Sequence, residues 1–138
     1  MDRSEVIAIV ERELEPLMHR FGLEHWEIKL SYSPEPIDAD GFLKRGECTR
    51  LVDYDSAYIS LNPEGLVDEE SVLKTLRHEL FHIILSPFDL YLAAVERTDI
   101  PASAGEILKR VWDHASERSV INLERMWKGL TALTAETR

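Results

Sequence analysis

Residues 68 to 85 constrain the chain more than any other stretch. Val72, Leu73, Leu76, Leu80, Ile83 and Ile84 recur at spacings of three and four, which only an α-helix gathers onto one side. Asp68 suits the N-cap, Glu69 and Glu70 suit the positive end of the helix dipole, and Pro87 ends the run. Ser71, Thr75, His78, Glu79 and His82 fall on the other side. A helix with one fully apolar stripe needs a core to lie on, so the rest of the chain is expected to supply one.

The flanking segments suit that need. Residues 4 to 21 read as an amphipathic helix through Val6, Ile9, Val10, Leu14, Leu17 and Phe21. Ser4 is the expected N-cap and Gly22 the C-terminal glycine, with Pro16 marking a kink or an early end. From His25 to Tyr32, Trp26, Ile28 and Leu30 alternate with polar residues, as in a half-buried strand. Residues 33 to 46, with two prolines, two glycines and two aspartates, read as a loop. Residues 47–54 and 56–61 read as a hairpin turning near Tyr54, Asp55 and Ser56, with Ala57, Ile59 and Leu61 facing inward. A short helical piece is expected over 88–97 and a long helix from 104 to about 130. The layout is a single α+β domain over 1–138, with a small three-stranded antiparallel sheet.

Composition narrows the partners. Lys and Arg number 16 against 26 Asp and Glu, a net charge of −10. Such a chain repels phosphate backbones on average, so nucleic acid is not expected as a partner. Cys48 is the only cysteine, which excludes an intramolecular disulfide and any cysteine zinc ribbon. Acids and bases run through residues 1–20, which is neither a signal peptide nor a membrane span, so the expected location is the cytoplasm. The acidic pairs Asp38, Asp40 and Asp53, Asp55 do not follow a calcium-loop spacing.

The chemistry sits in His78-Glu79-Leu80-Phe81-His82. Histidines at i and i+4 lie one turn apart on the same helix face, so both imidazoles can reach one metal ion. Zinc accepts imidazole nitrogen and favours four ligands. Glu79 follows His78 by about 100° round the helix and borders the same side without having to ligate. That is the place of a general base acting on a zinc-bound water. Nickel, cobalt or iron could also occupy two histidines and a carboxylate.

This run resembles the zincin metallopeptidase signature. The short chain, with three strands before the motif helix and a long helix after it, is similar to a minimal gluzincin and to small metallopeptidase-like proteins encoded by phages and prophages. A host cytoplasm would then be the setting. The long metzincin motif is excluded, since Leu85 and Phe88 stand where it needs Gly and His. The inverted motif is absent.

The resemblance implies a zincin-like fold, a peptide or protein substrate, and a third zinc ligand from a glutamate on the following helix. Glu117 fits best, followed by Val120, Ile121 and Leu123. Glu106, Asp113 and Glu124 are further carboxylates on that helix. His114 is the rival ligand, as in SprT-like metalloproteases. If Glu117 ligates, His114 becomes a supporting group or an oxyanion donor. Tyr58, Tyr91 and Arg110 are the other oxyanion candidates. On the wheel Glu117 shares a polar stripe with Glu106, Arg110, Asp113, Glu124 and Lys128. Leu108, Trp112, Ala115 and Met126 form the expected core stripe opposite. In zincins the strand before the motif helix edges the cleft, which would make residues 56–61 a rail for an extended peptide. Trp26, Trp112 and Trp127 are expected in the core. Two other readings stay open: a non-catalytic module stabilised by its metal, and a zinc hydrolase of a non-peptide amide or ester.

Overall fold

A computed structural model describes residues 1–33 and 44–136. Most of the expected loop at 33–46, with Asp38 and Asp40, lies outside the described residues. The chain divides into two compact units, Met1–Ile84 and Leu85–Arg138.

The first unit opens with helix α1, Arg3–Arg20. Its N-cap is Asp2, two residues earlier than the expected Ser4. The Asp2 carboxylate accepts from the Glu5 amide at 2.9 Å, and Glu5 accepts from the Asp2 amide at 3.0 Å. This reciprocal box meets two amide donors that the helix itself leaves unpaired. Ser4 instead donates its hydroxyl to the same carboxylate at 2.6 Å. These bonds hold the Asp2 carboxyl below its ordinary pKa, the Ser4 hydroxyl contributing most. The helix runs on through Pro16 to Arg20. Gly22 then reverses the chain at φ +70°, a left-handed conformation that suits glycine.

Three strands follow: β1 (Glu27–Tyr32), β2 (Gly46–Leu51) and β3 (Ser56–Leu61). The sheet is mixed, not antiparallel as expected. Its order is β1-β3-β2, with β1 parallel to β3 and β2 antiparallel to it. The expected hairpin is present, closed by a 3-10 turn at Val52–Tyr54 and by Asp55 at φ 47°. Strand β3, expected as an exposed edge, is therefore central and hydrogen-bonded on both sides. A physical reason lies in its inward row. Ala57, Ile59 and Leu61 are fully buried, whereas β1 and β2 alternate only between exposed and half-buried. The strand with the most surface to hide takes the middle of the sheet.

Helix α2, Glu69–Leu85, closes the unit. Asp68 caps it, its Oδ1 accepting from the Ser71 amide at 2.8 Å. The core joins Val6, Val10 and Leu17 of α1, the inward row of β3, and Val72, Leu76 and Leu80 of α2. Phe21 stacks on Phe81 with ring centroids 4.9 Å apart. Trp26 is buried as expected.

The second unit holds a 3-10 turn at Ser86–Phe88, helix α3 (Asp89–Glu96) and helix α4 (Ala102–Glu136). At 35 residues, α4 is about 52 Å long. Trp112 on α4 donates its indole N–H to Asp89 on α3 at 3.1 Å. The expected core stripe of α4 is only in part covered. Leu108, Trp112 and Trp127 are half-buried, while Ala115 and Met126 are exposed. Among the described residues of α4 only Val120 is buried. No helix is long and apolar enough to cross a membrane among the described residues.

Candidate metal centre

His78, Glu79 and His82 all stand on α2, one turn of helix from first to last. The two imidazole rings have centroids 5.0 Å apart and meet edge to face at 68°. Two rings so placed can turn a nitrogen each toward a common point. The helix is held in place by Val72, Leu76, Leu80 and Ile83, each essentially without solvent contact. The histidines therefore project from a rigid element, as a metal site requires.

The polar side of α2 is not a solvated face. Glu79 is 5% exposed and His82 6%, and Ser71 and Thr75 are buried with them, while His78 is half-buried. Ser71 is accounted for by the cap. Its hydroxyl donates to the Asp68 carbonyl at 2.7 Å and accepts from the Val67 and Asp68 amides at 3.0 and 3.1 Å.

Strand β2 contributes a residue that the sequence reading passed over. A Cβ on Gly46 would lie 2.8 Å from Thr75 Cγ2 and 3.3 Å from Glu79 Oε1. The backbone of β2 thus passes close to Thr75 and Glu79, and a side chain at position 46 would press first on the Thr75 methyl group. Asn62 fixes that approach. Fully buried, it donates from Nδ2 to the Lys44 carbonyl at 3.1 Å and from its amide to the Arg45 carbonyl at 2.9 Å. Its Oδ1 accepts from the Glu64 amide at 3.1 Å. A lone glycine at the start of an alternating strand signals a close backbone approach; that signal was present in the sequence.

The other candidates stand on other elements of the chain. Tyr58 lies on the sheet face opposite the inward row, 46% exposed, with Lys29 Nζ 5.5 Å from its ring centroid. With β3 central, residues 56–61 cannot serve as the rail for an added strand. Glu106, Arg110, Asp113, His114, Glu117 and Glu124 are all carried by α4 in the second unit, and Glu117 and His114 are exposed. Tyr91 is exposed on α3. His19, an exposed residue, pairs with Glu24.

No family model, no curated protein and no solved structure matches this chain. The reading of the site therefore rests on the chemistry of its own residues.

Proposed function

We propose that this protein is a zinc-dependent metallopeptidase of gluzincin type. The observation that carries the reading is the pair His78 and His82 on a core-anchored helix, with the buried carboxylate of Glu79 between them. Glu117 is the third ligand in this proposal. Two imidazoles and one carboxylate make a donor group that suits one metal ion, and zinc takes such a set while leaving a fourth position open.

When bound, zinc supplies a Lewis acid that polarises a carbonyl and makes water a nucleophile near neutral pH. The chain's own residues do the rest. His78 and His82 bind through ring nitrogens. Glu79 accepts the proton that attack on a peptide carbonyl releases, then returns it to the departing amine. The close pass of Gly46 leaves its carboxylate little room to swing, and an oriented base loses less on reaching the transition state.

Metal content per chain tests the ligand set, on tag-free wild type, His82→Ala, Glu117→Ala and His114→Ala. About one zinc in the wild type, lost with His82 and with Glu117 but kept with His114, is the expected result. Loss with His114 and retention with Glu117 would transfer the third ligand. Glu79→Gln is expected to keep its zinc and to lose peptide hydrolysis by a factor of about 100 or more. An unchanged rate would sink the role given to Glu79.

A further inference from the structure

Helix α4 keeps one apolar face in water. Ile107, Val111, Met126, Leu130 and Leu133 are each more than half exposed. At about 100° per residue they fall within a sector of about 140°, so they share one side of the helix. The same sector carries Arg118, Asn122 and Arg125 at mid-length, all exposed. The face therefore has an apolar block near each end and a polar middle. A contiguous exposed patch of apolar side chains marks an interaction surface.

Charge and register select what covers it. We propose that a second copy of this chain docks on this face, with the two α4 helices antiparallel about a two-fold axis near residue 120. Helix α4 holds five Lys or Arg against five Asp or Glu, so the whole net charge of −10 is carried elsewhere in the chain. Two copies meet least repulsion along this helix. In the antiparallel pair Ile107 of one copy opposes Leu133 of the other, Val111 opposes Leu130, and Ala115 opposes Met126. Arg118 then meets Asn122, whose amide oxygen can accept from a guanidinium. Each contact occurs twice, as a two-fold interface requires. A parallel pair would instead set Arg118 on Arg118 and Arg125 on Arg125, which like-charge repulsion opposes. A face about 40 Å long and about 10 Å wide on each copy gives an interface on the order of 1,000 Å² in all, the size of a reversible association. The expected Kd is on the order of 10–100 μM. Glu117 lies outside the sector, so the dimer stands whether or not zinc binds.

The test is sedimentation equilibrium of the intact, tag-free chain, from about tenfold below to tenfold above that Kd. A monomer–dimer equilibrium is expected, the same with and without a chelator. Val111→Glu and Leu130→Lys each bring a charge into the interface and should raise the Kd about tenfold or more. Both positions are exposed, so neither change disturbs a buried contact. Mixed in equal amounts, the two variants should dimerise again. The new carboxylate then faces the new ammonium at one end of the pair, and Val111 still faces Leu130 at the other. A monomer at every concentration would leave the face to a different partner and overturn the proposal. So would a dimer that tolerates both variants, a dimer lost on chelation, or a mixture that stays monomeric. Glu117→Ala should lose zinc and keep the dimer, so this proposal and the metallopeptidase reading can fail separately.

Discussion

Helices α2 and α4 carry similar amphipathic patterns and meet different fates. Every position of the apolar stripe of α2 is buried or half-buried. On α4, Ile107 and Val111 are each 61% exposed, and Met126, Leu130 and Leu133 are exposed beside them. Amphipathicity states which face would gain by leaving water. Whether it leaves depends on matching apolar surface, which α1 and the inward row of β3 supply in the first unit. Stability is therefore expected to be distributed unevenly along the chain, concentrated before Ile84.

The strongest way to break this contrast is by truncation. Leu80→Ala should lower the unfolding free energy by about 2–5 kcal/mol, because a fully buried side chain leaves a cavity. Val111→Ala should change it by about 0.5 kcal/mol or less. Urea midpoints measure both; similar losses would end the distinction. Next in size is Gly46→Ala. Its methyl group meets Thr75 Cγ2, and overpacking of this kind costs about 1–3 kcal/mol. Adding Thr75→Ser removes that methyl and should recover part of the loss. No recovery would mean that the contact with Glu79 or Leu61 dominates instead.

The smallest effect concerns the start of α1. Asp2 has a lowered pKa when folded, so its ionised form favours folding above the ordinary value of 3.8. That contribution disappears as the pH falls through the folded value. Asp2→Asn should flatten this part of the stability profile below about pH 4 while barely changing stability at pH 7. Melting temperatures against pH would show it, and an unaltered acid limb would remove Asp2 from the account.

Most elements were legible because periodicity is a local signal. The motif helix, the first helix and the three strands fall within a few residues of their expected bounds. Strand direction was not legible, because alternation fixes a strand's face and leaves its neighbours open. The fate of α4 was hidden for the reason already given: a stripe does not reveal what covers it. At the site, the motif was readable and its burial was not. Thr75, Glu79 and His82 look like a wet face in sequence and lie out of water in the structure. The N-cap was misplaced although Asp2 and Glu5 spell out a capping box, since Ser4 offered an equally good cap residue two positions on.

The mixed sheet also sets an order of events. Ile28 pairs with Ala57 and Leu30 with Ile59, so β1 leaves the ribosome well before its partner exists. The β2–β3 hairpin closes through a short turn, whereas β1 must wait to zip alongside a strand some thirty positions downstream, at the greater loop-closure cost. Folding should thus pass through a barrier in which the hairpin is formed and β1 is still free. Φ-values near zero for Ile28→Ala, beside larger ones for Ile59→Val, would display it; the reverse pattern would place β1 in the nucleus.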